Sequence, residues 1–245
     1  MDSETVKKYF DSAFTVADYS KAARQLGLWI SEEKIFTRVF EPEASLLELG
    51  CGAGRIAFGL HELGYTNILA TDYSKEMIKR ALHLAKLLEY SVPFRVADAM
   101  DLEFEDNVFD GAIFSFNGLM QIPKKEQREK ALKEIFRVIR PGAWFVFTAH
   151  DREQSEHRDY WLEEERRWRT GQQAKELDDF GDRFQSTAFG IYYIHVPTVP
   201  EVETVLKRVG FRIEATVMRS EIATEPQEVT DFSDDCRFWV VQKPI

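Results

Sequence analysis

Ser45-Leu46-Leu47-Glu48-Leu49-Gly50-Cys51-Gly52-Ala53-Gly54 opens as a short apolar run and closes with glycine at every second position. Behind it Ile56, Ala57, Leu60 and Leu63 recur at helical spacing. That pattern reads as buried strand, tight turn and helix. Glycines at such a turn admit positive φ and let a ligand lie against bare main chain. A helix opening at Gly54 adds unpaired N–H groups and the positive end of its dipole, which favours an anionic or strongly polar ligand.

Spacing separates the ligands that use such a turn. The dinucleotide fingerprint G-x-G-x-x-G puts its third glycine where this chain has Arg55. Here the glycines fall at 50, 52 and 54, with Glu48 two residues ahead of the first. This pattern resembles motif I of the class I S-adenosylmethionine-dependent methyltransferases, whose glycine loop passes under the methionine and ribose of the cofactor. The resemblance implies cofactor contacts from Glu48, Gly50, Cys51, Gly52 and Gly54.

Downstream residues extend the likeness. Residues 67–71 read as a second strand with Asp72 at its end, 22 positions past Gly50, where a carboxylate can accept both ribose hydroxyls of an adenosine. In the family the residues after this acid line the ribose and adenine, which implicates Tyr73 and Met77. Ser74 reads as the N-cap of the helix whose inner face is Met77, Ile78, Ala81, Leu82, Ala85 and Leu88. Residues 92–97 read as an edge strand opened by Pro93, followed by Asp98. By resemblance Asp98 takes the adenine amino group and the backbone of Ala99 and Met100 meets the ring, although an aspartate after a strand is also a common turn residue.

Residues 109–116 read as the fourth strand. Its end, Ser115-Phe116-Asn117-Gly118, lies where the family brings methyl and acceptor together; Asn117 either orients an acceptor or simply makes an Asn-Gly turn. An amphipathic helix over 124–140, ended by Pro141-Gly142, precedes a fifth strand at 144–149. Alternating strands and helices over 45–149 specify a parallel sheet with right-handed crossovers and a ligand site at the strands' carboxyl ends. Glu48, Asp72, Asp98, Phe116 and His150 all fall at or just beyond those ends.

Before this unit, residues 3–40 read as helices broken at Gly27, with Ser31 as N-cap of the second. They are expected to cover the cofactor, and Tyr19 and Trp29 either close over it or pack as core aromatics. After it, residues 151–190 break the rhythm and read as an inserted helical lid carrying Tyr160, Trp161, Trp168, Phe180 and Phe184. Long insertions at the ligand edge often shape an acceptor pocket, while a solvated helix with aromatic anchors is the plainer alternative. Residues 190–197 read as a strand. A Thr198-Val199-Pro200-Glu201 capping box then opens a helix that Gly210 ends. Strands at 211–218 and 236–242, joined by an acidic loop, complete the sheet. The family's seven-stranded Rossmann-like α/β sheet has order 3-2-1-4-5-7-6 with the last strand antiparallel and helices on both faces.

The 245 residues suit a single domain, 1–245, with an insertion. Net charge of −10 and a pI near 5.1 oppose the footprint of a phosphate-backbone binder. Two distant cysteines, Cys51 and Cys236, build no disulfide framework, and Met1 is followed by Asp2, Ser3 and Glu4 rather than a basic, then apolar, leader. The expectation is a cytoplasmic protein without membrane contact, monomeric or homodimeric. No His/Cys/Asp spacing diagnostic of a metal is present. Neither the (D/N)-P-P-(Y/F) motif of amino-group methyltransferases acting on adenine or glutamine nor a Pro-Cys nucleophile occurs, so a small-molecule acceptor remains.

The resemblance thus implies S-adenosylmethionine as cofactor, S-adenosylhomocysteine as product, and no metal. Methyl transfer is an in-line displacement in which positioning supplies much of the rate. A base helps where the acceptor must lose a proton, and His150 is the first candidate, His195 the second. Trp161, Tyr192 and Tyr193 are candidate acceptor contacts. The competing readings are a nicotinamide oxidoreductase, opposed by Arg55 and by the absence of sequence for a catalytic domain, and a non-catalytic module that binds the same cofactor.

Overall fold

The computed structural model describes residues 1–154 and 157–245. Three helices come first, α1 (Ser3–Phe10), α2 (Ala13–Gln25) and α3 (Ile30–Val39). Then β1 (Leu46–Leu49), α4 (Arg55–Glu62), β2 (Ile68–Asp72), α5 (Lys75–Leu88), β3 (Phe94–Val96) and β4 (Phe109–Phe114) alternate. A 3-10 turn at Gly118–Gln121 leads to α6 (Lys125–Val138) and β5 (Ile139–Ala149). The insertion holds α7 (Arg158–Arg169), β6 (Asp182–Thr187) and β7 (Gly190–His195). The chain closes with α8 (Val199–Val209), β8 (Arg212–Met218), α9 (Arg219–Ile222), α10 (Gln227–Phe232) and β9 (Arg237–Gln242).

Seven strands form one sheet in the order β3-β2-β1-β4-β5-β9-β8. Numbered within the sheet alone, this is 3-2-1-4-5-7-6, as the resemblance implies. β1, β2, β3, β4 and β5 run parallel, and β9 pairs antiparallel with both β5 and β8. The central strand β1 is buried at all four positions and sends alternate side chains to opposite faces. Leu47 and Leu49 join the core under α6 and α8, Leu46 the one under α3, α4 and α5. Gly64 ends α4 in a Schellman turn, with Tyr65 N–H reaching the Leu60 carbonyl at 3.0 Å and Gly64 N–H that of His61 at 3.0 Å.

Several boundaries differ from expectation, each for a physical reason. The N-terminal helical run breaks at Asp11-Ser12, where Ser12 Oγ accepts the Thr15 N–H and starts α2. Ser31 is not the cap of α3. The helix starts one residue earlier, Glu32 holds the Trp29 N–H at 3.0 Å, and distant Glu225 accepts the N–H groups of Ile30 and Ser31. Pro141-Gly142 does not end α6, which stops at Val138. The pair lies within β5, where the pairing with β4 shifts register and Gly142 adopts φ +85°.

The insertion is only partly helical. Residues 182–187 are too polar to signal a strand, yet they pair along their full length with β7 as an antiparallel hairpin separate from the main sheet. The acidic loop before β9 contains the short helices α9 and α10. β4 ends at Phe114 rather than 116, because Phe116 and Asn117 turn with φ of +51° and +59°.

Candidate active site

The turn after β1 is held open by its glycines. Gly50 has φ +63° and Gly52 φ +54°. A Cβ on Gly50 would stand 2.7 Å from the Phe114 ring, and one on Gly52 would stand 3.0 Å from Tyr19. Cys51 N–H donates to the Thr71 carbonyl at 2.9 Å and Gly52 N–H to Asp72 Oδ2 at 2.8 Å, so β2 fixes the turn. Gly54 caps α4 and packs against Phe58 and Phe94, away from the two cavities that flank the turn.

The larger of these cavities encloses about 890 Å³ and is lined by Tyr19, Gly50, Gly52, Asp72, Tyr73, Met77, Asp98, Ala99, Met100, Ser115 and Phe116. These are eleven residues that the sequence nominates, brought together from six elements and their loops. Asp72 also accepts the Ser74 N–H through Oδ1 at 2.7 Å, and burial raises its pKa to about 6 against those two hydrogen bonds. Asp98 Oδ1 accepts the Met100 N–H at 2.8 Å, the turn role, while its residue still lines the cavity.

The residues that sequence reasoning missed come mainly from α1. Ser3, Val6, Lys7 and Phe10 roof the cavity. Tyr73 Oη donates to Glu4 at 2.7 Å, Lys7 Nζ stands 4.7 Å from the Tyr73 ring centroid, and Ser74 Oγ donates to Asp11 at 2.6 Å. The amphipathic spacing of Val6 and Phe10 marks the inward face of α1, but the strand-end contacts that place it are all long-range.

The smaller cavity on the other side of the turn is lined by Tyr19, Glu48, Cys51, Arg55, Ser115, Phe116 and Phe232. Glu48 is 2% exposed, its Oε2 has no hydrogen-bond partner, and burial lifts its pKa to about 8 despite the nearby Arg55. Arg55 itself is turned toward Glu32, with Nη1–Oε2 at 2.5 Å and Nη2–Oε1 at 2.7 Å. The Cys51 thiol is pushed well above its ordinary pKa by burial, so it is no nucleophile at neutral pH.

Past Phe116 lies a third space, lined by Asn117, Gln121, His150, Tyr192 and the segment around Phe232 and Asp234. Gln121, which the sequence did not flag, lines this space and the first cavity alike, the former shared with Tyr192 and the latter with Tyr19. Burial holds the Tyr192 phenol up at about 12, a neutral donor. His150 Nδ1 meets the Asp235 carbonyl at 2.9 Å and Nε2 meets Asn117 Nδ2 at 3.1 Å. A carbonyl only accepts, so Nδ1 carries the proton and Nε2 presents its lone pair. Burial lowers the His150 pKa and keeps the ring neutral. Asn117 N–H is pinned by Thr148 Oγ1 at 2.9 Å, which supports the strained backbone at 116–117.

A wider chamber continues from His150 and Tyr192 to Trp161, Tyr160 and Arg183 of the insertion. Two nominated residues stand elsewhere. His195 Nδ1 is tied to Asp182 Oδ1 at 2.8 Å, and Tyr193 Oη donates to the same oxygen at 2.7 Å, so both stitch the β6–β7 hairpin together. Although burial pushes Asp182 up, hydrogen bonds from His195, Tyr193 and the Asp179 N–H win and hold it at about 2. His195 lines a hollow next to α6 and α8, and Tyr193 is 1% exposed. Neither stands at the surfaces where His150 and Asn117 meet.

Residues 47–147 match the family model described as methyltransferase domain. Sterol methyltransferase-like 3 of Botryococcus braunii is 34% identical over 109 residues, which cover 43% of this chain and 26% of that protein. Demethylmenaquinone methyltransferase of Lactiplantibacillus plantarum is 38% identical over 109 residues, covering 42% of this chain and 44% of that protein. The match thus spans less than half the length of these curated relatives. A crystal structure of a SAM-dependent methyltransferase from Methanosarcina mazei superposes with TM-score 0.70 at 22% identity, covering 86% of this chain and 97% of the other. The chain has the class I fold of the S-adenosylmethionine-dependent methyltransferases. More narrowly, its residues 47–147 are similar to the methyltransferase domain family.

Proposed function

We propose that this chain is an S-adenosylmethionine-dependent methyltransferase acting on a small-molecule acceptor. The observation that carries this reading is the convergence of three strand-end acids, Glu48, Asp72 and Asp98, on the two cavities either side of one glycine turn. The residues fit the cofactor. Glu48 is a buried carboxylate with an orphaned oxygen beside the turn, suited to an ammonium group. Asp72 presents a carboxylate for ribose hydroxyls, and Asp98 with the backbone at 99–100 suits the adenine edge. Met77, Phe10 and Ile122 supply apolar surface around it.

When bound, the cofactor supplies an electrophilic methyl group on a sulfonium, the chemistry that this fold family shares. The chain's own residues bind, orient and exclude water. α1 and α2 act as a roof, and the insertion acts as a cap over the acceptor. The methyl would pass to an oxygen, nitrogen, carbon or sulfur atom of the acceptor, the bond to the cofactor's sulfur breaking as the new bond forms. For a hydroxyl acceptor the displaced proton goes to His150 Nε2, whose one lone pair the Asn117 Nδ2–H occupies in the ligand-free chain, so the acceptor hydroxyl takes the place of that amide. Tyr192 and Trp161 wall the acceptor space.

The names of the relatives, a sterol methyltransferase-like protein and a demethylmenaquinone methyltransferase, support a small acceptor. Among the described residues no helix is long and apolar enough to cross a membrane, and the two cysteines are free. Both fit a cytoplasmic setting. Calorimetric titration with S-adenosylhomocysteine tests the cofactor, and release of labelled S-adenosylhomocysteine across an acceptor panel tests turnover. No binding in the first experiment would end the reading.

A further inference from the structure

Among the described residues, the chamber beyond His150 contains two arginines with hydrogen-bonding capacity that no partner uses. Arg219 is 4% exposed. Its Nη2 donates to the Ser233 carbonyl at 2.9 Å and its Nε lies 3.6 Å from Asp235, while Nη1 is buried without a partner. Arg183 commits Nη1 to the Asp182 carbonyl and to Glu164, 3.3 Å away. Its other edge, Nε with Nη2, is buried and unpartnered. That edge is the one a guanidinium uses to grip a carboxylate or phosphate through two parallel N–H bonds.

The Arg183 plane is preset. It lies 4.1 Å from the Trp161 ring centroid and 4.7 Å from that of Tyr160, contacts that fix its orientation before any ligand arrives. Most of the chamber's described acids are spoken for. Asp151 pairs with Arg237 at 2.8 Å, Glu225 accepts the N–H groups of Ile30 and Ser31, and Asp235 accepts Ser220 Oγ and Cys236 N–H. Asp234 is largely exposed to solvent. Burial lowers the Arg183 pKa even with Glu164 and Asp182 nearby. Three orphaned donors on two cations around one chamber leave a debt that an accepting anion removes.

We propose that the methyl acceptor carries an anionic group, a carboxylate or a phosphate monoester, gripped by the Nε/Nη2 edge of Arg183 with Arg219 as the second cation of the chamber. His150, Tyr192, Ser233 and Asp234 line both this chamber and the space next to Phe116, so a molecule anchored on Arg183 extends its nucleophile toward His150. This deepens the methyltransferase reading and rests on it.

The test is calorimetry on the full chain saturated with S-adenosylhomocysteine, using phenylacetate and phenyl phosphate against their neutral counterparts phenylacetamide and phenol. One anion is expected to bind at least tenfold more tightly than its counterpart, and the identity of the winner assigns carboxylate or phosphate. Arg183→Met should abolish the preference with S-adenosylhomocysteine affinity intact, and Arg183→Lys, which keeps charge without the fork, should retain only part of it. Equal binding of anion and neutral probe, no binding of any probe, or a preference that survives Arg183→Met would overturn the proposal. Failure of S-adenosylhomocysteine itself to bind the unmodified chain would instead overturn the cofactor reading, so the two failures are told apart.

Discussion

Asp72 Oδ2 accepts the N–H of Gly52 at 2.8 Å, a bond that ties the end of β2 to the middle of the glycine turn after β1. The same carboxylate faces the cavity, so one side chain both shapes the turn and is available to a ligand. Its pKa is raised by burial to about 6, above the ordinary aspartate value. The folded chain therefore takes up a proton between about pH 6 and 4, where the unfolded chain holds none, and the ionised form costs stability above pH 6. S-adenosylhomocysteine affinity is expected to fall as pH drops from 7.5 to 5. Asp72→Asn should weaken binding by about 1.5–3 kcal/mol at pH 7.5, flatten that pH dependence and leave the melting temperature no lower. Unchanged affinity by calorimetry would remove Asp72 from the ligand's contacts.

Glu48 makes a separate expectation about protons. Burial holds its pKa at about 8, so in the ligand-free chain the carboxyl is mostly protonated at pH 7. A ligand ammonium placed against Oε2 favours the ionised form. Binding of S-adenosylhomocysteine at pH 7 should then release up to one proton, seen as a binding enthalpy that varies with the ionisation heat of the buffer. Glu48→Gln should bind without that release. An enthalpy identical in phosphate and Tris would count against Glu48 as the ammonium partner.

For His150 the expectation concerns rate rather than affinity. Burial depresses its pKa, so the base form persists through neutral pH and is lost only on the acid side of the ordinary histidine range. With a hydroxyl acceptor, His150→Ala should lower kcat by about 10²–10⁴ and leave S-adenosylhomocysteine affinity intact. Turnover equal to that of the unmodified chain would return His150 to a packing role.

Beneath the turn, Glu32 and Arg55 form a two-pronged pair in which Glu32 is 0% and Arg55 8% exposed. Glu32→Ala would strand a buried guanidinium and cost about 3–5 kcal/mol in urea unfolding. The double variant Glu32→Leu with Arg55→Met should recover much of that loss, because neither charge is left alone. A single variant as stable as the unmodified chain would show that water reaches Arg55.

Which parts of this site could be read from sequence follows from where their partners lie. Gly50, Gly52, Asp72 and Asp98 sit at strand ends and Met77 in the first turn of α5, positions that the hydrophobic rhythm sets, and the cavity gathers them. Gln121 carried no signal, since its role depends on Tyr19 and Tyr192 arriving from opposite ends of the chain. His195 and Tyr193 were nominated by residue type, but the hairpin partner that claims them, Asp182, lies in a strand too polar to recognise. The start of α3 was misplaced for the same reason, its N–H groups being taken up by Glu225.

Tyr9 of α1 meets the Tyr192 ring at 5.5 Å, and a Cβ on Gly190 of β7 would stand 3.1 Å from the Tyr9 Cα. The helix that roofs the first cavity is therefore also the buttress of the hairpin beside the wider chamber. Moving α1 off that cavity would loosen the neighbouring wall as well.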